Sequence, residues 1–141
     1  MNIKKLFIGA ITGGIVYFFL GWLAYGKLLV DYFNKHHGLT TGYMRDPAVM
    51  PLPVYLVLGN LLMGFLLTYI FLKAKVSSFG NGFVTGGIIG FLMTGAADLV
   101  MYSTTTLMSR QGVLADVIAF TVMSAIAGAI TGAVIGSGKE N

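Results

Sequence analysis

The protein has 141 residues, of which 56% are hydrophobic and only 10% are charged. Soluble domains carry about 25% charged residues, so the composition predicts an integral membrane protein in a single domain, 1–141. The net charge is +4 but the basic residues are scattered, and there is no cysteine. Nucleic-acid binding, thiol redox chemistry and cysteine-ligated metals are therefore excluded from the expected functions.

Four apolar runs reach the roughly 20 residues that a helix needs to cross a bilayer. They cover 6–25, 52–72, 82–102 and 113–135. Because backbone polar groups must be satisfied inside lipid, we expect an all-α bundle of four transmembrane helices. The first run is longer than a signal-peptide core of about 7–15 residues, so we expect it to be retained as a span.

The connections predict how the chain is oriented. The segment 27–51 is the longest and most polar, and its amphipathic start at 28–33 predicts an extension of the first helix. Basic residues favour the cytoplasmic side of short segments. One side of the bundle has five of them: Lys4, Lys5, Lys73, Lys75 and Lys139. The pattern predicts a multi-pass protein of the cell (inner) membrane with both termini in the cytoplasm.

The first and third spans resemble each other. The segment 11–18, "ITGGIVYF", shares four of eight residues with 84–91, "VTGGIIGF". The match predicts a parallel tandem repeat of two helical hairpins. The alternative is chance similarity between membrane helices that are rich in Gly, Thr and Ile.

Small residues recur every fourth position and form three stripes, each on one face of a helix. The stripes consist of Gly9 and Gly13; of Gly82, Gly86 and Gly90; and of Ser124, Gly128, Gly132 and Gly136. Small residues let helix backbones approach closely in lipid, where van der Waals contact drives association. We therefore predict tight helix packing at these stripes, either within one chain or between chains.

A carboxyl group continues the stripe of the third span. Asp98 lies four residues beyond Thr94 and four before Tyr102, one turn from the outer end. A charge inside a span costs roughly 2.5–3.5 kcal/mol by insertion scales, so it should be paired or face water. Arg110 is the expected counter-ion, because an Arg–carboxylate pair is the strong arrangement.

The functional interpretation of this region is a polar pocket for a cation, a proton or a lipid headgroup. It would be lined by Asp98, Tyr102, Arg110 and Asp116 and covered by His36, His37 and Arg45. In the alternative, a Thr or Tyr hydroxyl satisfies Asp98. For Asp116 we favour a structural role in the first turn of its helix, where the macrodipole stabilises a carboxylate.

The other polar residues give weaker indications of a functional site. Adjacent His36 and His37 lack a third ligand at metal-binding spacing, so a solvated loop pair is expected and no metal site is predicted. Asn60 inside the second span predicts an interhelical hydrogen bond. Because no nucleophile–base pair, phosphate loop or metalloenzyme motif is present, we expect no enzyme activity and no cofactor.

The segment 14–29, "GIVYFFLGWLAYGKLL", resembles the start of a family of small, uncharacterised bacterial membrane proteins. Trp22 is followed shortly by Tyr25 and Gly26, as at the end of the first helix in that family. The segments "GNLLMGFLLTYIF" and "DLVMYSTT" are similar to parts of small four-helix proteins common in Bacteroidetes. The resemblance implies a four-helix inner-membrane protein and supplies no catalytic residues.

Three function hypotheses follow. The first is a non-enzymatic membrane component embedded in the lipid bilayer, with glycine faces contacting a second copy or a membrane-protein partner. The second is a small transporter or channel whose polar pathway passes Asp98, Thr94 and Asn60. The third is an enzyme acting on lipid headgroups at the outer surface.

Overall fold

The computed structural model describes residues 1–42 and 53–137, and Arg45 lies outside them. This part of the chain is helical and forms a four-helix bundle, as predicted. Its helices are α1 (Ile3–Leu23), α2 (Val30–Lys35), α3 (Pro53–Ala74), α4 (Phe79–Thr104) and α5 (Arg110–Ser137). The four long helices are each long and apolar enough to cross a membrane. The predicted spans fall within them, apart from Ala24 and Tyr25, which follow α1 directly, and Leu52, which lies outside the described residues.

The first long helix does not end where its apolar run ends. It passes into a π-helical turn at Ala24–Leu28, closed by a 2.8 Å hydrogen bond from the Leu29 amide to the Ala24 carbonyl. The short helix α2 follows, so the extension predicted at 28–33 is present. A π turn inserts one extra residue and changes which side chains face the bundle afterwards.

The long helices pack as two antiparallel hairpins, α1 with α3 and α4 with α5. Within the first hairpin, Gly64 lies against the backbone of Ala10 and Gly14. Within the second, Gly82 lies against the backbone of Gly128. These close approaches need glycine, because a Cβ at Gly64 or Gly82 would overlap the facing backbone.

The two hairpins are joined mainly through α1 and α5, which also run antiparallel. Residues pair along this seam in opposite chain directions, from one end of the bundle to the other. The pairs are Gly9 with Ile135, Gly13 with Thr131, Tyr17 with Ser124, and Tyr25 with Asp116. The helices therefore stand in the order α3–α1–α5–α4, with α1 and α5 at the centre.

The burial of side chains agrees with this order of the helices, in which α1 and α5 are central. The buried cluster lies between α1, α3 and α5 and includes Tyr17, Phe71 and Ala127. The outer helices α3 and α4 expose large apolar side chains such as Leu62 and Leu92. Exposed apolar faces of this extent fit contact with a lipid bilayer, where they need no further cover.

Both termini of the described chain lie at one end of the bundle, together with the short connection between α3 and α4. That connection begins with Lys75 at φ 56° and a hydrogen bond of 2.8 Å from the Val76 amide to the Phe71 carbonyl, which closes α3. Ser78 then caps α4 by accepting from the Asn81 amide at 3.3 Å. The opposite end contains the π turn, α2 and the connection from α4 to α5.

The predicted stripes of small residues contact other segments of the same chain. A Cβ at Gly86 would collide with the Ser124 carbonyl oxygen and lie 2.9 Å from the Gly128 Cα. Gly132 faces Gly82, and Gly136 faces the backbone of Ser77. Gly90 faces Ser124, while Gly9 and Gly13 face Thr68 and Thr131. In this structure these faces contact other parts of the same chain.

Candidate functional site

The polar centre of the molecule lies between α1, α4 and α5, at the end opposite the termini. The Tyr25 hydroxyl donates a short hydrogen bond to Asp116 Oδ1. The Asp116 carboxyl also interacts with the carboxyl of Asp98, on the neighbouring helix. Three helices thus bring a phenol and two carboxyl groups together.

Asp98 is the most buried member of this centre. Its side chain is 6% exposed, and its Oδ2 atom has no hydrogen-bond partner among the described residues. An unsatisfied polar atom that is buried costs about 1–3 kcal/mol. Asp98 therefore faces the bundle interior and not lipid, with one oxygen atom buried and unsatisfied within the described part of the chain.

Local structure explains why Tyr25 reaches Asp116. Tyr25 belongs to the π turn, which rotates the chain after Leu23 relative to an uninterrupted α-helix. Its ring also packs against Phe33 of α2, with centroids 5.7 Å apart and planes tilted by 33°. The turn and α2 together hold the phenol above the α1–α5 seam.

A cavity of about 370 Å³ opens beside this centre. Asp116 and Tyr25 line it from the bundle side, and α2 and the connection from α4 to α5 line it from the other. Its wall is mostly apolar and includes Val30, Phe33, Met101, Leu107 and Met108. A concave, largely apolar space with a few polar groups is typical of a ligand site.

The cavity is covered by two connections that are hydrogen-bonded to each other. The Gly38 amide donates to the Leu107 carbonyl at 3.2 Å, and the Thr40 amide donates to the Thr106 carbonyl at 3.1 Å. His37 and Met108 form an antiparallel bridge in the same place. The Ser109 hydroxyl donates to the His36 carbonyl and accepts from the Gly112 amide, which caps α5.

Arg110 and Tyr102 are not part of the polar centre. Arg110 is exposed at the first residue of α5, and Tyr102 is 46% exposed. Both line a separate surface depression with Thr105 and Thr106. The expected pairing of Arg110 with Asp98 is absent from the described residues, because Asp98 is buried between the helices whereas Arg110 is exposed at the surface depression.

Asp116 has a different role from the one favoured by its sequence position. It is the seventh residue of α5, so it lies beyond the first turn, where the macrodipole acts. It is half-buried, accepts from Tyr25 and lines the cavity. The helix begins three residues earlier than the apolar run, which is why the sequence placed Asp116 too near the end.

Thr94 and Asn60 do not form a path with Asp98. Thr94 is half-buried on α4. Asn60 belongs to the other hairpin, where its amide donates to the Leu56 carbonyl of its own helix at 2.8 Å. The interhelical bond expected of Asn60 is therefore absent from the described structure, and its surroundings are the apolar side chains of α1 and α3.

The histidines line the cavity but each has a local partner. His36 Nδ1 lies 2.9 Å from the Tyr32 carbonyl oxygen, and the two rings stack at 4.2 Å. His37 Nδ1 lies 2.6 Å from the Gly38 carbonyl oxygen. Among residues 1–42 and 53–137 there is no group of three His, Cys, Asp or Glu side chains that could hold a metal ion.

Sequence reasoning missed the contacts of two tyrosines, Tyr17 on α1 and Tyr25 in the π turn. Tyr25 contacts Asp116, a partner that the sequence did not predict. Tyr17 is buried, and its hydroxyl donates a hydrogen bond to Ser124 Oγ at 2.9 Å. Its ring stacks on that of Phe120, with the centroids 5.8 Å apart. Their eight-residue separation is close to two helical turns and was the available signal, but it does not identify the partners on α5.

No family model matches the sequence, and no curated protein or solved structure matches it either.

Proposed function

We propose that the protein is a non-enzymatic, multi-pass membrane protein that binds a cationic ligand in the cavity above Asp116. One observation carries the proposal. Buried Asp98, whose Oδ2 atom has no hydrogen-bond partner in residues 1–42 and 53–137, lies against Asp116, and Asp116 lines the cavity. Asp116 thus places one carboxyl group at the wall of a space that is large enough for a ligand, and the carboxyl group of Asp98 lies behind it in the bundle interior.

Electrostatics favour a cation over other ligands. Carboxyl groups within a span are costly and are usually paired or face water. Here Arg110, the expected partner, lies elsewhere, and the neighbouring hydroxyl of Tyr25 provides one hydrogen bond. A positive ligand beside Asp116 would supply the missing charge, whereas an anion would be repelled.

The glycine faces give less support to a function in partner binding. The stripe residues of α4 and α5 contact each other, and those of α1 contact α3 and α5. Such a face is not free for a second chain. Association of copies through the exposed apolar faces of α3 and α4 stays a prediction.

Transport past Asp98 also receives less support than binding. Toward the middle of the bundle, the next groups on the α1–α5 seam are Phe120 and Tyr17, whose rings stack. Tyr17 is fully buried there. We therefore treat the cavity as a site that is closed at its inner end. Action on lipid headgroups stays a prediction without a residue arrangement that favours it.

We further propose the inner membrane as the location, with both termini in the cytoplasm, on the strength of the Lys distribution. Membership of the small bacterial four-helix family, suggested by 14–29, is a proposal of the same kind. In this orientation the cavity would open at the outer side of the membrane.

Thermal unfolding in a non-ionic detergent tests the binding proposal. Candidate cations are sodium, calcium, tetramethylammonium and benzyltrimethylammonium, each supplied as the chloride. A ligand at 100 times its Kd stabilises the folded state by about 2.7 kcal/mol. We expect at least one cation to raise the Tm of the wild type.

The matched variants are Asp116→Asn, which can still accept from Tyr25, and Asp31→Asn on the exposed side of α2. The Tm increase should disappear in Asp116→Asn and persist in Asp31→Asn. The proposal is overturned if none of the four cations raises the Tm, or if Asp116→Asn responds as the wild type does.

A further inference from the structure

The chemistry of the cavity points to one class of cation, and we infer that the ligand is an organic ammonium with an apolar or aromatic body. Its ammonium group would lie against the carboxylate of Asp116. Its apolar body would lie between Tyr25, Phe33 and the two methionines Met101 and Met108. This inference rests on the proposed function and specifies the ligand.

The size of the cavity argues against a bare ion. Its volume of about 370 Å³ lies in the range of ligand pockets, about 300–1,000 Å³, and far above the space of one ion. Most of the wall is apolar, including Val30, Leu107 and Met108. An inorganic ion would leave this surface without a partner, whereas an organic body would cover it.

The available donor atoms also disfavour an inorganic cation. Calcium takes six to eight oxygen ligands, and magnesium requires an octahedral set. Asp116 is the carboxylate that lines the cavity, and the Nδ1 atoms of His36 and His37 lie against backbone carbonyls. One carboxylate is sufficient to bind a monovalent ammonium but not to replace the hydration shell of a divalent metal.

The aromatic residues provide a specific reason for an ammonium. Tyr25 and Phe33 both line the cavity, and their rings meet at 33° with centroids 5.7 Å apart. Two inclined rings next to a carboxylate form the corner of an aromatic cage, which attracts quaternary ammonium groups through cation–π contact. Because the Tyr25 hydroxyl donates to Asp116, the ring and the carboxylate are fixed relative to each other.

The methionines extend the same argument to the body of the ligand. Met101 comes from the last turns of α4, and Met108 comes from the connection that covers the cavity. Methionine side chains are flexible and polarisable, and they make favourable contacts with aromatic rings. They therefore suit a planar apolar group and do not require one fixed ligand shape.

Isothermal titration calorimetry with two isosteric probes tests the inference. The probes are benzyltrimethylammonium and 2,2-dimethylpropylbenzene, in which carbon replaces the charged nitrogen. Tetramethylammonium tests the charge without the body, and calcium tests an inorganic ion. The detergent must be a maltoside, because phosphocholine detergents carry a competing quaternary ammonium.

We expect benzyltrimethylammonium to bind at one site at least tenfold more tightly than tetramethylammonium, calcium or the neutral isostere. Phe33→Leu should weaken this binding several-fold without abolishing the fold, as judged by an unchanged helical circular dichroism spectrum. Phe19→Leu should bind like the wild type, because Phe19 is 61% exposed on α1 and does not line the cavity.

The outcomes separate the two levels of the proposal. If calcium or sodium binds in a manner that Asp116→Asn abolishes while benzyltrimethylammonium does not bind, the organic-ligand inference is overturned and cation binding stands. Equal affinity for the charged probe and its neutral isostere overturns both. If Phe33→Leu and Phe19→Leu bind the charged probe equally, the aromatic corner has no role and the inference is wrong.

Discussion

The phenol of Tyr25, in the π turn after α1, donates a hydrogen bond to the carboxylate of Asp116 on α5, 91 residues further along the chain. The seam between α1 and α5 is the main contact between the two hairpins, and this bond lies at its cavity end. The same interaction therefore connects the hairpins and orients the carboxylate that lines the cavity. The packing of the two hairpins and the placement of the Asp116 carboxylate therefore depend on the same hydrogen bond.

Removal of the Tyr25 hydroxyl should destabilise the protein. Hydrogen bonds to charged groups contribute about 1.5–3 kcal/mol, so we expect Tyr25→Phe to lower the free energy of unfolding by a value in this range. Tyr102→Phe is the matched control, because Tyr102 is exposed and lies in a separate depression. Unfolding in mixed micelles measures both variants. Equal stability of the two would contradict the role of the Tyr25–Asp116 bond.

A single added methyl group tests the α4–α5 contact. Gly86→Ala would place a Cβ against the Ser124 carbonyl oxygen, so α4 and α5 would have to separate. Overpacking of this kind typically costs about 1–3 kcal/mol. Gly95→Ala on the same helix adds a Cβ in open space and should leave stability unchanged or slightly raised. If resistance to SDS unfolding falls equally in both, close packing at Gly86 is not what holds the hairpin.

A disulfide can report on the cover of the cavity, because the chain has no cysteine of its own. His37 and Met108 are directly opposite in an antiparallel bridge, a geometry that brings Cα atoms to about 4.5–5.5 Å. His37→Cys combined with Met108→Cys should form an intramolecular disulfide on mild oxidation. Proteolysis and mass spectrometry identify the linked peptides, and the single variants control for links between chains. Failure of the double variant to crosslink would show that the connections are not paired.

Fusion of a reporter tests the orientation. With Lys4, Lys5, Lys73 and Lys75 at the cytoplasmic side, a fluorescent reporter fused after Asn141 should be active in cells, and alkaline phosphatase fused there should be inactive. Moving the fusion into the connection 105–109 should reverse the two activities. Alkaline phosphatase activity after Asn141 would overturn the predicted orientation.

Local patterns predicted the helices and the packing faces well. A helix that spans lipid needs a long apolar run, and a face that packs closely needs small residues at four-residue spacing, so both leave a direct trace in the sequence. The stripe of Gly82, Gly86 and Gly90 contacts Ser124 and Gly128 for that reason. Gly64 was missed because Gly59, the other glycine of α3, is five residues away, so no stripe at four-residue spacing marks this face.

The site was predicted only in part, because its partners depend on rotation and helix order. Asp98 lies in the bundle interior, as its position on the glycine face predicts. Arg110 was expected there because it is near in sequence, but its side chain is exposed at the start of α5. Tyr25 reaches Asp116 through a π turn, and periodicity counted at 3.6 residues per turn does not anticipate that change of face.

Methyl NMR of [13C-methyl]methionine protein tests the central claim, that a cation enters the cavity above Asp116, most directly. The chain has eight methionines, of which Met101 and Met108 line this cavity, while Met63 lies on α3 in the other hairpin. Titration with benzyltrimethylammonium should shift the methyl signals of Met101 and Met108, leave Met63 unchanged, and have no such effect in Asp116→Asn. Unchanged Met101 and Met108 signals at saturating ligand, or the same shifts in Asp116→Asn, would contradict the account.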